Sequence, residues 1–427
     1  MKKAFINGIL LDGSEEMTPL TGRAVLVEED KITAIIPEKE VPSTDCEIID
    51  LEGQYLAPGL INLHVHIPGS GKPRKKPMDT KKIVKFATAN ALTRKYLESM
   101  YRSFSRTELY SGVTTLRSVG GVENYDAWIR DQINAGKAKG PRILAGNMAV
   151  SVPGGHMAGS LAYEADSPEE AADYVRKIAE TKPDLIKLMI TGGVLDATVK
   201  GEPGVLKMAP ALVKSACDEA HRLGLPVAAH VESPEGVRVA LENGVDTIEH
   251  GAKPDAEILQ LFRKRGAALV ATLSPALPYA FFDRSVSHID EMGQFNGKIV
   301  FDGIVECARE CLANGIPVGL GTDTGCPFVT HYDMWRELHY FQKYCGVSNA
   351  FALFTATKRN AQIAGLGEVT GTVEPGKSAD FIVCKNNPLE SLSALRDLSM
   401  VVTRGRVIRS PRVRKMPQVE TALDAYL

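Results

Sequence analysis

The chain has 427 residues, 44% apolar and 24% charged, ordinary values for a globular protein with a sizeable core. Fifty basic residues against 52 acidic ones leave a formal charge of −2, without the basic excess of a nucleic-acid-binding chain. No apolar run approaches the length that spans a bilayer, and the total exceeds one minimal domain but suits a barrel of roughly 250 residues plus a smaller module.

In chain order, "MKKAFINGILLDG" begins like a signal peptide, but Asn7 and Gly8 break the apolar stretch and Asp12 ends it. No small-residue cleavage site follows, so a cytoplasmic location is expected. Residues 1 to about 57 read as short strands: "KAFINGILLDG", "RAVLVEEDKITAIIP" and "CEIIDLEGQYLAPG" are apolar or β-branched runs punctuated by Gly, Asp and Pro. From residue 58 short apolar runs alternate with helix-like segments. Strands are predicted at 60–66, 113–119, 142–150, 184–191, 226–231, 246–250, 267–273 and 317–323; several are almost continuously apolar, as parallel strands buried on both faces should be. The basic run "GKPRKKPMDTKKIVK" (71–85) reads as a solvated loop and helix start, or as a lid or attractor for anionic substrates.

The intervening segments carry helix punctuation. Ser167 is a predicted N-cap with Pro168 at the first helical position and Glu170 closing a capping box. Ser233 and Pro234 repeat the device, and Gly224 and Gly244 stop their helices. Such alternation implies right-handed crossovers and a parallel sheet, and eight units imply a closed (β/α)8 barrel, a TIM barrel, over 58–365. After about 365 strand patterns return in "GTVEPGKSADFIVC" and "LSMVVTRGRVI". Residues 366–427 are therefore expected to join 1–57 in one small β-sandwich module. The seven cysteines (Cys46, Cys217, Cys307, Cys311, Cys326, Cys345, Cys384) are scattered without a C-x-x-C pair and read as reduced, mostly buried thiols.

Polar residues end the apolar strands in a pattern. In "GLINLHVHIPG" (59–69), His64 and His66 are two apart and share one face of a strand. They lie at the C-terminal end of the first barrel strand, where active sites of this fold sit. An H-x-H pair alone is a weak metal signature. Lys187 interrupts "DLIKLMIT", and burying a lysine is costly unless it is paired or neutralised. His230 ends "PVAAHVE", His250 ends "TIEHG" and Asp323 ends "PVGLGTDTG". Any one of these is explained by a hydrogen-bonded core residue; six at one rim point to a divalent-metal centre.

"PGLINLHVH", "IKLMITGG", "AAHVES", "TIEHG", "GTDTG" and "ATKRNAQIAGLGEVTGTVEPGKSADFIV" together resemble the metal-dependent amidohydrolase superfamily, over about residues 3–408. "TTLRSVGG", "GPRILAGNMAVSVPGGH" and "GTDTGCPF" resemble its prolidase-like branch of Xaa-Pro dipeptidases and related carboxypeptidases. The resemblance implies two divalent ions, taken as zinc. His64, His66 and Asp323 would hold one, and His230 and His250 the other. Lys187, carboxylated by carbon dioxide, would bridge both through its carbamate. A metal-bridging hydroxide would attack the carbonyl of an amide or peptide-like bond, with Asp323 taking the proton and passing it to the leaving nitrogen. His156, in "VPGGHMAGS", would face the substrate carbonyl, and His331, in "GCPFVTHYDMW", would line the pocket. His221, His288 and His339 read as surface or packing residues. Relatives commonly form even-numbered homo-oligomers.

Two positions depart from the branch. Glu232 stands where prolidase-like relatives place a tyrosine that receives the substrate's α-carboxylate, and a carboxylate there would repel one. The substrate would then lack a free acid, carry a cation, or use Arg or Lys of the 72–85 loop. Ser118 stands where the branch often has Asp. The expected function is thus a binuclear hydrolase of a small amide or peptide-like substrate, dipeptidase- or carboxypeptidase-like. The alternative is a cyclic-amide hydrolase or deaminase of the imidazolonepropionase kind, although mononuclear deaminases usually lack the Lys187 equivalent. A catalytically dead scaffold would have lost ligands, and all six are present.

Overall fold

The computed structural model describes residues 2–42, 45–75 and 79–427. The chain divides into two compact units, one comprising residues 1–62, 106–116 and 332–415, the other residues 63–105, 117–331 and 416–427. The expected boundaries at 57/58 and 365/366 differ from this partition chiefly over residues 332–365, which group with the first unit, and 416–427, which group with the second.

The first unit contains two sheets. One has four strands in the spatial order Lys31–Pro37, Arg23–Glu28, Lys2–Ile6, Cys46–Asp50. The other has five in the order Arg406–Arg409, Leu398–Thr403, Phe381–Cys384, Tyr55–Pro58, Ile9–Leu10. Strands from both chain ends pair directly, with Phe381 opposite Pro58 and Cys384 opposite Tyr55 in antiparallel register. Alternation along these strands sends Phe5, Val25, Val27, Ile49, Leu56, Phe381, Val383 and Val402 into one shared apolar cluster. Phe5 meets Phe381 edge-to-face at 5.6 Å.

The second unit alternates strand and helix. A parallel sheet runs in the order Ala162–Glu164, Ala149–Ser151, Ile186–Met189, Val227–Val231, Thr247–His250, Ala268–Ala271, Val318–Leu320. A further three-stranded sheet is formed by Leu60–Val65, Val113–Ser118 and Arg142–Leu144, of which residues 63–65, 117–118 and 142–144 fall in this unit. All eight predicted strands are thus present, the third broken into two pieces, and Ala162–Glu164 is an addition. Every residue of Leu60–Val65, Ile186–Met189, Val227–Val231, Thr247–His250 and Ala268–Ala271 is buried, which is why several of these stretches are almost continuously apolar.

Helices start where the caps predict. Ser167 accepts from Glu170 N at the head of Pro168–Ala179, and Ser233 accepts from Gly236 N at the head of Pro234–Glu242. The expected capping box closes one residue early: the Glu170 carboxylate takes the Asp166 N–H rather than that of Ser167. Of the basic run, Thr80–Ala87 is a short helix with no buried side chain, while residues 76–78 lie outside the described residues. All seven cysteines carry free thiols, four of them buried. Among the described residues no helix is long and apolar enough to cross a membrane.

Candidate metal centre

The strand ends deliver their polar groups to one place. His64, His66, His156, Lys187, His230, Glu232, His250 and Asp323 all line a single cavity, together with Met157, Met189, Tyr279 and Cys326. The rings of His64 and His250 are 4.8 Å apart, His64 and His66 5.4 Å, and His230 and His250 4.6 Å. Asp323 Oδ1 lies 3.2 Å from His66 Nε2 and 3.5 Å from His64 Nε2, yet makes no hydrogen bond.

Backbone conformation aims two of these side chains. His250 and Asp323 have φ of 69° and 56°, in the left-handed region that residues other than glycine rarely occupy. At His250 this breaks the alternation that would send it and Glu249 to opposite faces, so both reach the site. Gly321 admits the His64 strand: a Cβ there would sit 2.4 Å from His64 Cβ.

Each imidazole is oriented through one ring nitrogen. His64 Nδ1 is 2.7 Å from Glu249 Oε2, His66 Nδ1 2.8 Å from the Gly120 carbonyl, and His250 Nδ1 2.6 Å from Thr272 Oγ1. Each leaves Nε2 as the remaining nitrogen. His230 reverses the choice, with Nε2 3.2 Å from the Gly192 carbonyl and Nδ1 remaining. Such outer partners fix tautomer and ring angle for a metal. Behind His64 the network continues: Arg117 donates to Glu249 Oε1 (2.6 Å), to Thr247 Oγ1 (3.1 Å) and to the Leu63 carbonyl (2.8 Å).

The electrostatics follow from burial. Desolvation, reinforced by the Lys187 charge, lowers His64 to about 4. Burial likewise holds His230 and His250 well below the ordinary histidine value, so these rings are neutral at pH 7, the form that binds metal. At His66 burial is outweighed by attraction to the Asp323 carboxylate and by the Gly120 carbonyl at Nδ1, and its value rises. Burial would raise Asp323, but the surrounding imidazoles keep it well below the usual carboxylate range. Lys187 is 1% exposed, its Nζ has no hydrogen-bond partner, and burial brings it down to about 8 despite Glu249 and Asp323.

These features test whether divalent ions suit the site. His64, His250 and Asp323 form one group whose donor atoms converge closely enough for an ion; His230, Glu232 and His250 form a second. Neutral imidazoles, an ionised carboxylate and two buried polar atoms without partners, Lys187 Nζ and Asp323 Oδ1, are a donor set that metals would satisfy.

The other predicted residues divide. His156 stacks on His230, with centroids 4.2 Å apart and planes 8° from parallel, and its Nδ1 meets Asp196 Oδ2. Asp196 also accepts from Gly193 N at 3.0 Å; burial would raise its value, and His156 more than offsets this. Glu232 lines the cavity with Oε2 buried and unpartnered, and burial plus the charges of Asp323 and Asp196 push it up to about 8. His331 is not among the lining residues: its Nε2 lies 2.7 Å from the Gly69 carbonyl and its ring stacks on Phe104 at 4.6 Å. Ser118, one of the two departures, hydrogen-bonds Asp126 Oδ2 at 2.7 Å, so a carboxylate stands beside that position, supplied from eight residues on. His221 is a surface residue as expected, although paired with Asp246 at 2.8 Å.

Sequence reading missed Glu249, Arg117, Thr272, Asp196 and Tyr279. Two carried a signal: Glu249 in "TIEHG" and Arg117 in "TTLRSVGG" are charges inside apolar strands, the same anomaly that marked Lys187.

Comparison with known proteins agrees with this geometry. A model of the amidohydrolase family matches residues 55–408. A protein from Bifidobacterium longum, assigned as a prolidase, is 35% identical with a TM-score of 0.88, over 100% of this chain and 99% of that one. A Xaa-Pro dipeptidase solved with methionine in its active site is 26% identical with a TM-score of 0.83, over 96% of this chain and 100% of its own. Ochratoxinase from Aspergillus niger is 25% identical over 98% of this chain and 89% of its own length. With the family model spanning most of the chain and a full-length relative above 30% identity, the chain belongs to the amidohydrolase family and is a metal-dependent hydrolase of that family.

Proposed function

We propose that the chain is a binuclear-metal-dependent hydrolase of an amide or peptide-like C–N bond, dipeptidase- or carboxypeptidase-like in substrate size. The observation that carries this is Lys187: a lysine amine buried without a partner among four imidazoles and Asp323. Its value near 8 leaves a fraction of the amine unprotonated at neutral pH, the form that reacts with carbon dioxide to give a carbamate. In this reading His64, His66 and Asp323 would hold one ion, His230 and His250 the other, and carboxylated Lys187 would complete the donor set. Zinc suits a set dominated by imidazole and carboxylate. Two such ions, when bound, supply Lewis acidity and make water a stronger acid.

The chain's own groups do the rest. Asp323, unpartnered at Oδ1, accepts a proton at that oxygen and returns it to the leaving nitrogen, which departs poorly as an anion. His156, oriented by Asp196 and stacked on His230, presents its other ring nitrogen to the substrate carbonyl oxygen. The apolar walls at Met157, Met189 and Tyr279 exclude water around the scissile bond. The same reading takes the sheets of the second unit as a closed (β/α)8 barrel within 58–365, and the module of 1–57 and 366–427 as a β-sandwich. It places the enzyme in the cytoplasm, which seven unpaired thiols support, and as a homo-oligomer. The test is elemental analysis beside amine-release assays on small amides. Two equivalents of metal with hydrolysis is the expected result; fewer than one equivalent, with no amide cleaved after metal loading, overturns it.

A further inference from the structure

Glu232 occupies a place that the reaction above does not use. Its backbone is fixed on both sides: its N–H donates to Thr191 Oγ1 at 3.0 Å, and a Cβ on Gly204 would sit 2.2 Å from its carbonyl oxygen. Its carboxylate reaches into the cavity at Gly193. A Cβ on that glycine would lie 3.4 Å from Glu232 Oε2 and 3.6 Å from the Cε1 atoms of both His156 and His230, so the carboxylate stands beside the ligand cluster. Oε2 is buried and has no hydrogen-bond partner. The neighbouring carboxylate is already taken, since Asp196 holds His156 and the Gly193 N–H. The same cavity is also lined by the apolar side chains of Met157, Pro275 and Ile304.

A buried carboxyl with one oxygen left without a partner is costly to ionise, and a cavity that keeps one fixed beside its reacting centre is complementary to a ligand that brings the positive charge its ionised form lacks. A free substrate carboxylate at that point would add a like charge. We propose that Glu232 is a specificity residue that receives a cationic group of the substrate, an ammonium or guanidinium, so that the enzyme selects amides bearing a positive charge near the scissile bond and rejects those bearing a carboxylate there. This rests on the hydrolase reading above. The competing role is a protein ligand to an ion shared with His230 and His250.

Two matched series decide it, with charge on either side of the amide. The first is N-benzoylethylenediamine, N-benzoylethanolamine and N-benzoylglycine; the second is the benzylamides of β-alanine, 3-hydroxypropanoic acid and succinic acid. In at least one series kcat/KM is expected to favour the cationic member over the neutral one by about 10- to 100-fold, with the carboxylate slowest. Glu232→Gln should bring the cationic-to-neutral ratio near one, and Glu232→Lys should turn the preference toward the carboxylate, both with wild-type metal content. Equal rates for the cationic and neutral members, a preference for the carboxylate, or loss of one metal equivalent in Glu232→Gln overturns the proposal. If metal-loaded wild type cleaves none of the six, the hydrolase reading fails, and calorimetry with the same compounds judges Glu232 alone. Tighter binding of the cationic member, lost in Glu232→Gln, upholds its role, and equal binding of all three ends it.

Discussion

On one wall of the cavity, built from 63–66 and 247–250, each imidazole has a protein partner behind it: Glu249 for His64, the Gly120 carbonyl for His66, Thr272 for His250. On the wall built from Ile186–Met189 and the end of Val227–Val231, Lys187 Nζ and Glu232 Oε2 are buried with no partner. The first wall is complete in the protein alone, and its geometry is set before anything binds. The second is completed only by what binds, so the free energy lost in burying its charges is recovered on occupancy. A binding site is thus marked less by its concentration of polar groups than by which of them the fold leaves unsatisfied.

The largest effect should come from the unsatisfied wall. Lys187→Ala is expected to abolish turnover and reduce bound metal below one equivalent, with short carboxylates restoring part of the rate. Lys187→Met should stabilise the metal-free protein by about 1–3 kcal/mol in urea unfolding, since it removes an unpaired buried amine. Full metal occupancy in the first variant, or a less stable apo-protein in the second, breaks the comparison. Asp323→Asn, at the junction of the two walls, should leave folding intact by circular dichroism and lower kcat by about 100- to 10,000-fold; unchanged kcat removes Asp323 as the proton carrier.

Glu249→Gln attacks the satisfied wall. It leaves the buried Arg117 without its ion pair and loosens His64, so the prediction is a loss of about 3–5 kcal/mol in stability. Metal affinity should weaken by about 10- to 100-fold by competitive chelation. Equal stability would mean that the Arg117–Glu249 pair does not hold this wall. Asp126 mixes the two conditions: Oδ2 accepts from Ser118 Oγ and Asn147 N, while Oδ1 is buried without a partner. Burial raises it to about 6, above its unfolded value near ~3.9. Between those values the native state binds more protons than the unfolded chain, so stability falls as pH rises from ~4 to 6, and is flat in this contribution above. Metal-free Asp126→Asn should therefore lose less stability than metal-free wild type across that interval; parallel urea titrations with equal slopes would remove Asp126 as the cause. The smallest effect is expected outside the cavity: His331→Ala should cost about 1 kcal/mol through the Gly69 hydrogen bond, with kcat/KM changed less than about threefold. A tenfold loss would return His331 to the substrate pocket.

The eight strands were legible because burial on both faces makes a run continuously apolar, and a run of that kind exposes any polar residue within it. His64, His230, His250 and Asp323 stood out for that reason, and the cavity brings them together. Glu249 and Arg117 carried the same anomaly, but their part is to hold His64 by contacts 185 and 130 or more positions apart, which no local pattern encodes. His331 was misplaced because a histidine shortly after a strand end looks the same whether it faces the cavity or braces Gly69. Amphipathic periodicity says that a helix has a buried face but not what buries it, so the pattern alone does not say what the helices of 332–365 pack against.

The left-handed backbone at His250 and Asp323 sets two pressures against each other. Glycine would relax the main chain at either position while deleting a group the chemistry depends on. Directed evolution that rewards heat tolerance alone should therefore erode these two codons early, and a screen for robust variants would have to score turnover in every round to keep them.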